Sequence, residues 1–334
     1  MMNRRVELPL IEPLYSAYHY QGAGSAILKN NTSISNFYLN RAVRLTCTRK
    51  FLSGFTTPEV TVEDSSWDKN PYFVRKICST QFVRGYANYV IKNLLDDGFY
   101  VLFSGVDDYY VKGKSWYRER HFSHDGMITG YDRDNKTYTL YAYDENWIYR
   151  KFITPQACFL KGLNAVLHKG QHGSLCGLKP TDEVVPFLPE IACAKIEEYL
   201  DSSIGKYPEN EEGTVYGIAV QDYVCKYLDR IYHGFIPYER MDRRVFRVIW
   251  EHKKVMHRRI VMTENVWGMA PDLGDRYRRL AEEADAARLL YAAYHMRRRD
   301  PLLPLIRDRL AKIRTEEENI LREFVNRAKE FMKK

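Results

Sequence analysis

The sequence predicts an α+β protein, with a β-rich N-terminal region and a helical C-terminal subdomain. Residues 127–132 and 138–143 are rich in β-formers, and Asp134-Asn135-Lys136 between them is turn chemistry, which together read as a β-hairpin. From about residue 182 onward apolar residues recur at helical spacing; in the final segment they fall at 306, 310, 313, 320, 324, 328 and 331, close to one every 3.5 residues. At 334 residues and 45% hydrophobic content, the chain is long enough for one large or two moderate cores. The expected division is 1–180 for the β-containing domain and 181–334 for the helical one.

The elements are expected in this order. A helix begins near Gly24, after the small-residue run Gln21-Gly-Ala23-Gly-Ser25, and mixed strands follow it. A second helix spans 80–95 and ends at Gly98, leading into a strand over 99–103. Residues 107–111 and the hairpin complete a small antiparallel sheet, and Thr154-Pro155 opens the next element, since proline suits a first helical turn. Helices are then expected over 191–200, 217–232, 241–263, 275–298 and 305–332, with a polar loop at 204–213. Pro301 and Pro304 separate the last two, which should form an antiparallel hairpin.

The densest chemistry lies at the first hairpin. If its loop is the three residues 134–136, residue 133 pairs with 137, and His124 lies opposite Asn146 and diagonal to Asp144 on one face. A histidine oriented by an acid or amide is two thirds of a nucleophilic triad. His124-Asp-Gly-Met-Ile-Thr-Gly-Tyr-Asp132, followed by a strand ending in Asp144, resembles the His–Asp half of papain-like cysteine peptidases. It is most similar to the bacteriocin-leader peptidases and to the butirosin-biosynthesis acyltransferase-like family of natural-product clusters. Tyr18-His-Tyr-Gln21-Gly-Ala23-Gly-Ser25 is similar to the family's stretch around its nucleophilic cysteine.

The resemblance implies a papain-like domain in which a nucleophile helix packs on an antiparallel sheet. A thiol at a helix N-terminus is favoured as thiolate by the macrodipole. Gln21 would donate to the oxyanion, while Gly24 and Ser25 would line the approach. The chain departs from the family here, because Ala23 or Ala26 stands where the family places its cysteine, Ala23 being the favoured nucleophile position. A Cys→Ala replacement, a natural pseudoenzyme and Ser25 as nucleophile are the three explanations, the first being favoured. His124 would be the base, oriented by Asp144 or Asn146, and Trp116, Tyr143 and Trp147 would contribute to the substrate cleft.

The C-terminal pieces Tyr199-Leu-Asp-Ser-Ser, Tyr216-Gly-Ile-Ala-Val220, Asp242-Arg-Arg-Val-Phe246 and Glu251-His-Lys-Lys-Val-Met256 extend the resemblance to the butirosin-type family, within which the amide-forming cysteine-protease-like kind of closthioamide biosynthesis is one narrower candidate. That context implies acyl transfer: an acyl group moves from a carrier-protein thioester, through a thioester at position 23, to an amine or diamine. The partner would be an acyl or peptidyl carrier protein bearing phosphopantetheine, with no cofactor held by this chain. A non-catalytic metabolite- or carrier-binding pseudoenzyme and a cysteine peptidase are the alternatives. A diamine would want carboxylates nearby, and Asp107, Asp108, Asp125 and Glu145 are available.

Charge and cysteine usage narrow the classes further. Residues 241–334 hold 23 Lys and Arg against 15 Asp and Glu, a balance of +8 that equals the net charge of the whole chain. A basic helical face would steer an acidic carrier domain. The signs are interleaved and no nucleic-acid-binding motif is present, so no nucleic-acid partner is expected. Cysteines at 47, 78, 158, 176, 193 and 225 show no zinc spacing, and no metal is expected; His172 with Cys176 is one isolated pair. The N-terminus lacks a signal-peptide core and no run approaches about 18 apolar residues, so the expected setting is cytoplasmic, without a membrane partner.

Overall fold

The computed structural model describes residues 3–27, 31–53, 56–83, 85–168, 173–202, 213–298 and 301–333. Arg299, His172 and most of the 204–213 loop lie outside them. The fold is α+β with antiparallel sheets. The chain divides into two compact units, one of residues 1–34 and 66–184, the other of residues 35–65 and 185–334. A single cut at 180 therefore misses segment 35–65, which belongs with the helical part.

In chain order the elements are β1 (Arg5–Glu7), α1 (His19–Ala26), α2 (Asn31–Arg41), β2 (Leu45–Thr48), β3 (Thr61–Val62), β4 (Phe73–Ser79), α3 (Ala87–Asp96), β5 (Tyr100–Asp107), β6 (Ser123–Asp132), β7 (Thr137–Tyr143), β8 (Tyr149–Pro155), α4 (Gln156–His168), β9 (Ser174–Pro180), α5 (Pro189–Leu200), β10 (Thr214–Tyr216), α6 (Ala219–Tyr232), α7 (Val245–Trp267), α8 (Asp272–Arg297) and α9 (Leu302–Met332). Pro155 closes β8 instead of opening a helix, and α4 starts one residue later.

The sheet of the first unit is larger than the sequence implied. Seven strands run in the order β4-β9-β5-β6-β7-β8, with β1 added to β6. Its strands alternate, as half-buried strands must. Val101, Phe103, Ile128, Leu140 and Leu175 turn to one face and pack with Ile91 and Leu95 of α3 and Phe159 and Leu163 of α4. Leu102 pairs with Cys176 and Ser104 with Ser174 on the other face.

The β6–β7 hairpin differs from the expected register. Asp132 pairs with Thr137, so residues 133–136 form a four-residue loop, with Lys136 at φ 53°. That odd shift alone would break the expected shared parity of His124 with Asp144 and Asn146. A bulge restores it: Ile128 pairs with Leu140 but Gly130 with Thr139, leaving Thr129 as the extra residue. The carbonyl of Thr129 accepts from Leu8 N–H at 2.8 Å. Gly130 is required beside it, since a Cβ there would lie 2.4 Å from the Val6 carbonyl oxygen.

In the second unit β10, β2 and β3 form a three-stranded sheet, and α5–α9 pack as helices. Arg327–Asp272 (2.7 Å) and Arg276–Glu323 (2.6 Å) join the start of α8 to the end of α9, and Arg309–Glu283 (2.9 Å) joins the middle of α8 to the start of α9, as an antiparallel pair requires. The gap in the apolar seam of α9, between 313 and 320, is filled by Glu317, which is fully buried. Its carboxylate accepts from Lys253 Nζ (2.6 Å), Gln221 Nε2 (2.6 Å), Tyr199 OH (2.9 Å) and Tyr277 OH (2.5 Å). Arg259, equally buried, donates to the Leu39 (2.7 Å), Tyr38 (3.0 Å) and Ala42 carbonyls at the end of α2. Among the described residues no helix is long and apolar enough to cross a membrane.

Removing one partner of a buried ion pair strands the other. Glu317→Ala is therefore expected to cost about 3–5 kcal/mol in urea unfolding, while the double replacement Lys253→Met with Glu317→Leu costs less. Equal losses in the two proteins would show that the charge pairing is immaterial.

Candidate active site

The cleft lies on the sheet face that carries Leu102, Ser104, Ser174 and Cys176, and His124 stands beside it at the end of the β5–β6 pair. Strand β5 ends in Asp107 and Asp108 opens the turn that follows, while the pairing of β5 with β6 sets Val106 against His124 and Asp107 against Ser123. Both carboxylates are buried and each takes a histidine. His124 Nδ1–H donates to Asp108 Oδ2 at 3.0 Å, and His121 Nδ1–H donates to Asp107 Oδ2 at 2.8 Å. His121 is half-exposed and stacks on Tyr109. His124 is the more enclosed of the two.

Behind Asp108 lies Lys114, also buried, with Nζ 3.6 Å from Asp108 Oδ1. Burial pulls this ammonium below its ordinary pKa, and the Asp108 carboxylate opposes that shift. The arrangement is thus a cation, a carboxylate and an imidazole in series. A neutral His124 with its proton on Nδ1 carries its lone pair on Nε2, which is the form a general base needs.

Helix α1 starts at His19, five residues before Gly24, after the extended residue Tyr18. The glycines that look like a helix approach lie inside it. Gly22 is accommodated because the ring of Tyr149 fills its side-chain space, and a Cβ there would lie 2.7 Å from that ring. The first helical position is consequently a histidine. The His19 ring meets His124 edge-on with centroids 4.5 Å apart, and it also contacts Tyr143 and Tyr149. Tyr143 N–H donates to His19 Nε2 at 3.4 Å. Burial holds the His19 pKa well below 6.5, helped by Lys114 and then by His124.

His19 and Ala23, one turn apart, line a cleft of about 340 Å³ together with Trp67, Ser104, Asp125 and Cys176. Asp68 lines it too. Of the four carboxylates expected to be available to an amine, Asp125 is the one in the cleft, while Asp107 and Asp108 serve the histidines and Glu145 is exposed on a turn. Burial pushes the Cys176 thiol up to about 11, which leaves it un-ionised at neutral pH. Among the described residues, no group of three or more His, Cys, Asp or Glu converges as a metal site would.

Several expected positions fall elsewhere. Asp144 accepts from the Asn146 (2.8 Å) and Ile148 (2.9 Å) N–H groups and pairs with Arg150, so it ties the β7–β8 turn together instead of orienting His124. Asn146 is exposed on that turn. Gln21 is two residues beyond His19, about 200° around the helix, and is buried outside the cleft lining. Ser25 is fully buried; its hydroxyl donates to the Gln21 carbonyl at 3.1 Å and accepts from Leu14 N–H at 3.2 Å. Gly24 is buried within α1 without lining the cleft. Trp116 and Trp147 meet edge to face at 5.8 Å, and Phe122 bridges from Trp116 to the His124 ring. Tyr143 reaches the site through His19, with its hydroxyl donating to the Ser16 carbonyl at 2.6 Å.

The partnership of Asp108 with His124, which the sequence offers only as a carboxylate for a diamine, and the places of Lys114 and His19 escape sequence reasoning. The fifteen-residue connection between β5 and β6 hides the first two, whereas His19 sits within the glycine-rich stretch and is legible as a titratable group. Compared with known proteins, the chain matches no protein-family model and no curated protein.

The depressed pKa of His19 has a consequence for stability. In the folded chain it takes up a proton only far below 6.5, so at mildly acidic pH the unfolded chain binds more protons and stability rises with pH. The His19 contribution is intact above about pH 6.5 and is lost as the pH falls. His19→Asn is expected to shrink the difference in unfolding free energy between pH 7 and pH 5 by up to about 2 kcal/mol, at about 1.36 kcal/mol per unit. An unchanged difference would mean that the ring titrates normally.

Proposed function

We propose that the first unit is a papain-like acyl-transfer domain in which His124, oriented by Asp108, is the general base. The observation that carries this reading is the 3.0 Å His124–Asp108 hydrogen bond beside the His19–Ala23 face of the cleft. Ala23 offers no nucleophile and Cys176 is held as a thiol, so the transfer proposed for this chain is direct. An amine nitrogen attacks the carbonyl carbon of an acyl thioester while His124 Nε2 takes the N–H proton. The C–S bond then breaks, the departing thiolate takes that proton from the imidazolium, and an amide and a thiol result. Asp125 and Asp68 favour a cationic acceptor, such as the free end of a diamine.

A carrier-bound donor follows from the resemblance to the butirosin-type family, with an acyl or peptidyl carrier protein as partner. The basic charge of residues 241–334 supports this only in part. Arg276, Arg307, Arg309 and Arg327 are paired within the unit, and Arg298 lies 3.7 Å from Glu239. The second reading is a binding protein without turnover, favoured by Ala23 at the position the family gives to its nucleophile. A cysteine peptidase is disfavoured by the raised thiol of Cys176.

Aminolysis of a model thioester separates these readings. His124→Ala is expected to lower the rate by at least about a hundredfold. Asp108→Ala should do comparable damage, whereas Asp144→Ala should lower the melting temperature and spare most of the rate. Binding of the thioester with no amide formed by the unmodified protein would establish the binding-protein reading instead.

A further inference from the structure

We propose that His19 is a catalytic residue of this site: a neutral imidazole that donates its Nδ1–H to the carbonyl oxygen of the acyl donor as that oxygen becomes negative. The proposal rests on the acyl-transfer reading above and adds what that reading lacks, an oxyanion donor, since Gln21 is buried outside the cleft lining.

Four observations converge on His19. It lines the cleft while being only 9% exposed, so a donor there acts in a largely water-excluded setting. Its Nε2 accepts from Tyr143 N–H at 3.4 Å, which assigns the proton of the neutral ring to Nδ1. Among the described residues no protein group accepts that Nδ1–H. Its ring packs edge-on against the ring of His124 at 4.5 Å, which sets donor and base side by side at the edge of the cleft that His19 lines.

The surroundings keep the ring neutral. The groups packed around it are His124 and Asp125 of β6, Tyr143 of β7, Tyr149 of β8, and Lys114 with Asp108 behind His124. Lys114 and His124 both disfavour a second proton on His19, and burial does so more strongly. A neutral imidazole is a donor that does not surrender its proton to the oxyanion, so proton traffic stays with His124. His19 also occupies the first position of α1, where the positive end of the helix dipole favours developing negative charge. In the balanced step, the carbonyl oxygen gains the electron pair as the C–N bond forms, the His19 N–H bond to it shortens, and the pair returns when the thiolate leaves.

The test uses the full chain with the acetyl thioester of N-acetylcysteamine and ethylenediamine. An asparagine places its amide N–H close to the position of Nδ1, whereas glutamine places its own at Nε2. His19→Ala is expected to lower kcat about 10²–10³-fold. His19→Asn should retain activity within about tenfold of the unmodified protein, and His19→Gln should resemble His19→Ala. ¹⁵N NMR of the histidine rings at pH 7 should find His19 protonated on Nδ1 and not on Nε2, and circular dichroism checks that each variant folds. A folded His19→Ala protein with the full rate, His19→Asn as slow as His19→Ala, or an Nε2–H tautomer would overturn the proposal while leaving the His124 base in place. Transfer that is absent from the unmodified protein, or untouched by His124→Ala, removes the acyl-transfer reading and this role with it.

Discussion

A carboxylate withdrawn from water is stable only with partners, and Asp108 has two of opposite character. Lys114 supplies a buried positive charge 3.6 Å away on one side, and His124 supplies an N–H at 3.0 Å on the other. The cation offsets the cost of keeping the carboxylate ionised, and the carboxylate fixes which nitrogen of His124 bears the proton. Around this axis the remaining groups arrange themselves: the His19 ring against His124, Tyr143 and Tyr149 against His19, and Gly22 cleared for Tyr149. Without the buried charge there would be no reason for β6 to present a histidine at that point on its edge.

Much of the architecture is written in local pattern. The helical run after residue 182, the antiparallel α8–α9 pair and the β6–β7 hairpin follow from periodicity, proline and turn chemistry, all of which act over a few residues. The candidate site is less legible because its contacts are long-range. His124 stands out as a residue beside the Gly-Tyr-Asp strand, yet its partner comes from just beyond the end of the neighbouring strand β5, where no spacing rule reaches. Asp144 looked suitable because strand parity places it on the correct face. Local geometry claims it instead, since a carboxylate at the head of a tight turn finds two backbone N–H groups nearer than any ring. The start of α1 was misplaced for a similar reason: glycine reads as a helix breaker until a tertiary neighbour occupies its side-chain space.

The helical unit shows the same division. The seam of α9 is visible in the sequence, and so is the break in it at Glu317. What occupies the break depends on Tyr199, Gln221, Lys253 and Tyr277, drawn from four other segments of the chain. Arg259 likewise serves carbonyls more than two hundred residues earlier, closing the end of α2. Segment 35–65 joins this unit for that reason. It returns to a partner that the chain has not yet presented when its own helix is complete.

The extra residue at Thr129 has a meaning beyond its place in the ladder. Strand faces alternate, so a change of one residue in the β6–β7 loop would ordinarily rotate every side chain upstream to the opposite side. Here the mismatch is discharged between Gly130 and Ile128, next to the point where β1 and Leu8 clamp the strand. The hairpin tip and the site end of β6 are thereby uncoupled. The aim of His124 is set by its pairing with β5 on the near side of the bulge, and the loop at 133–136 lies beyond it.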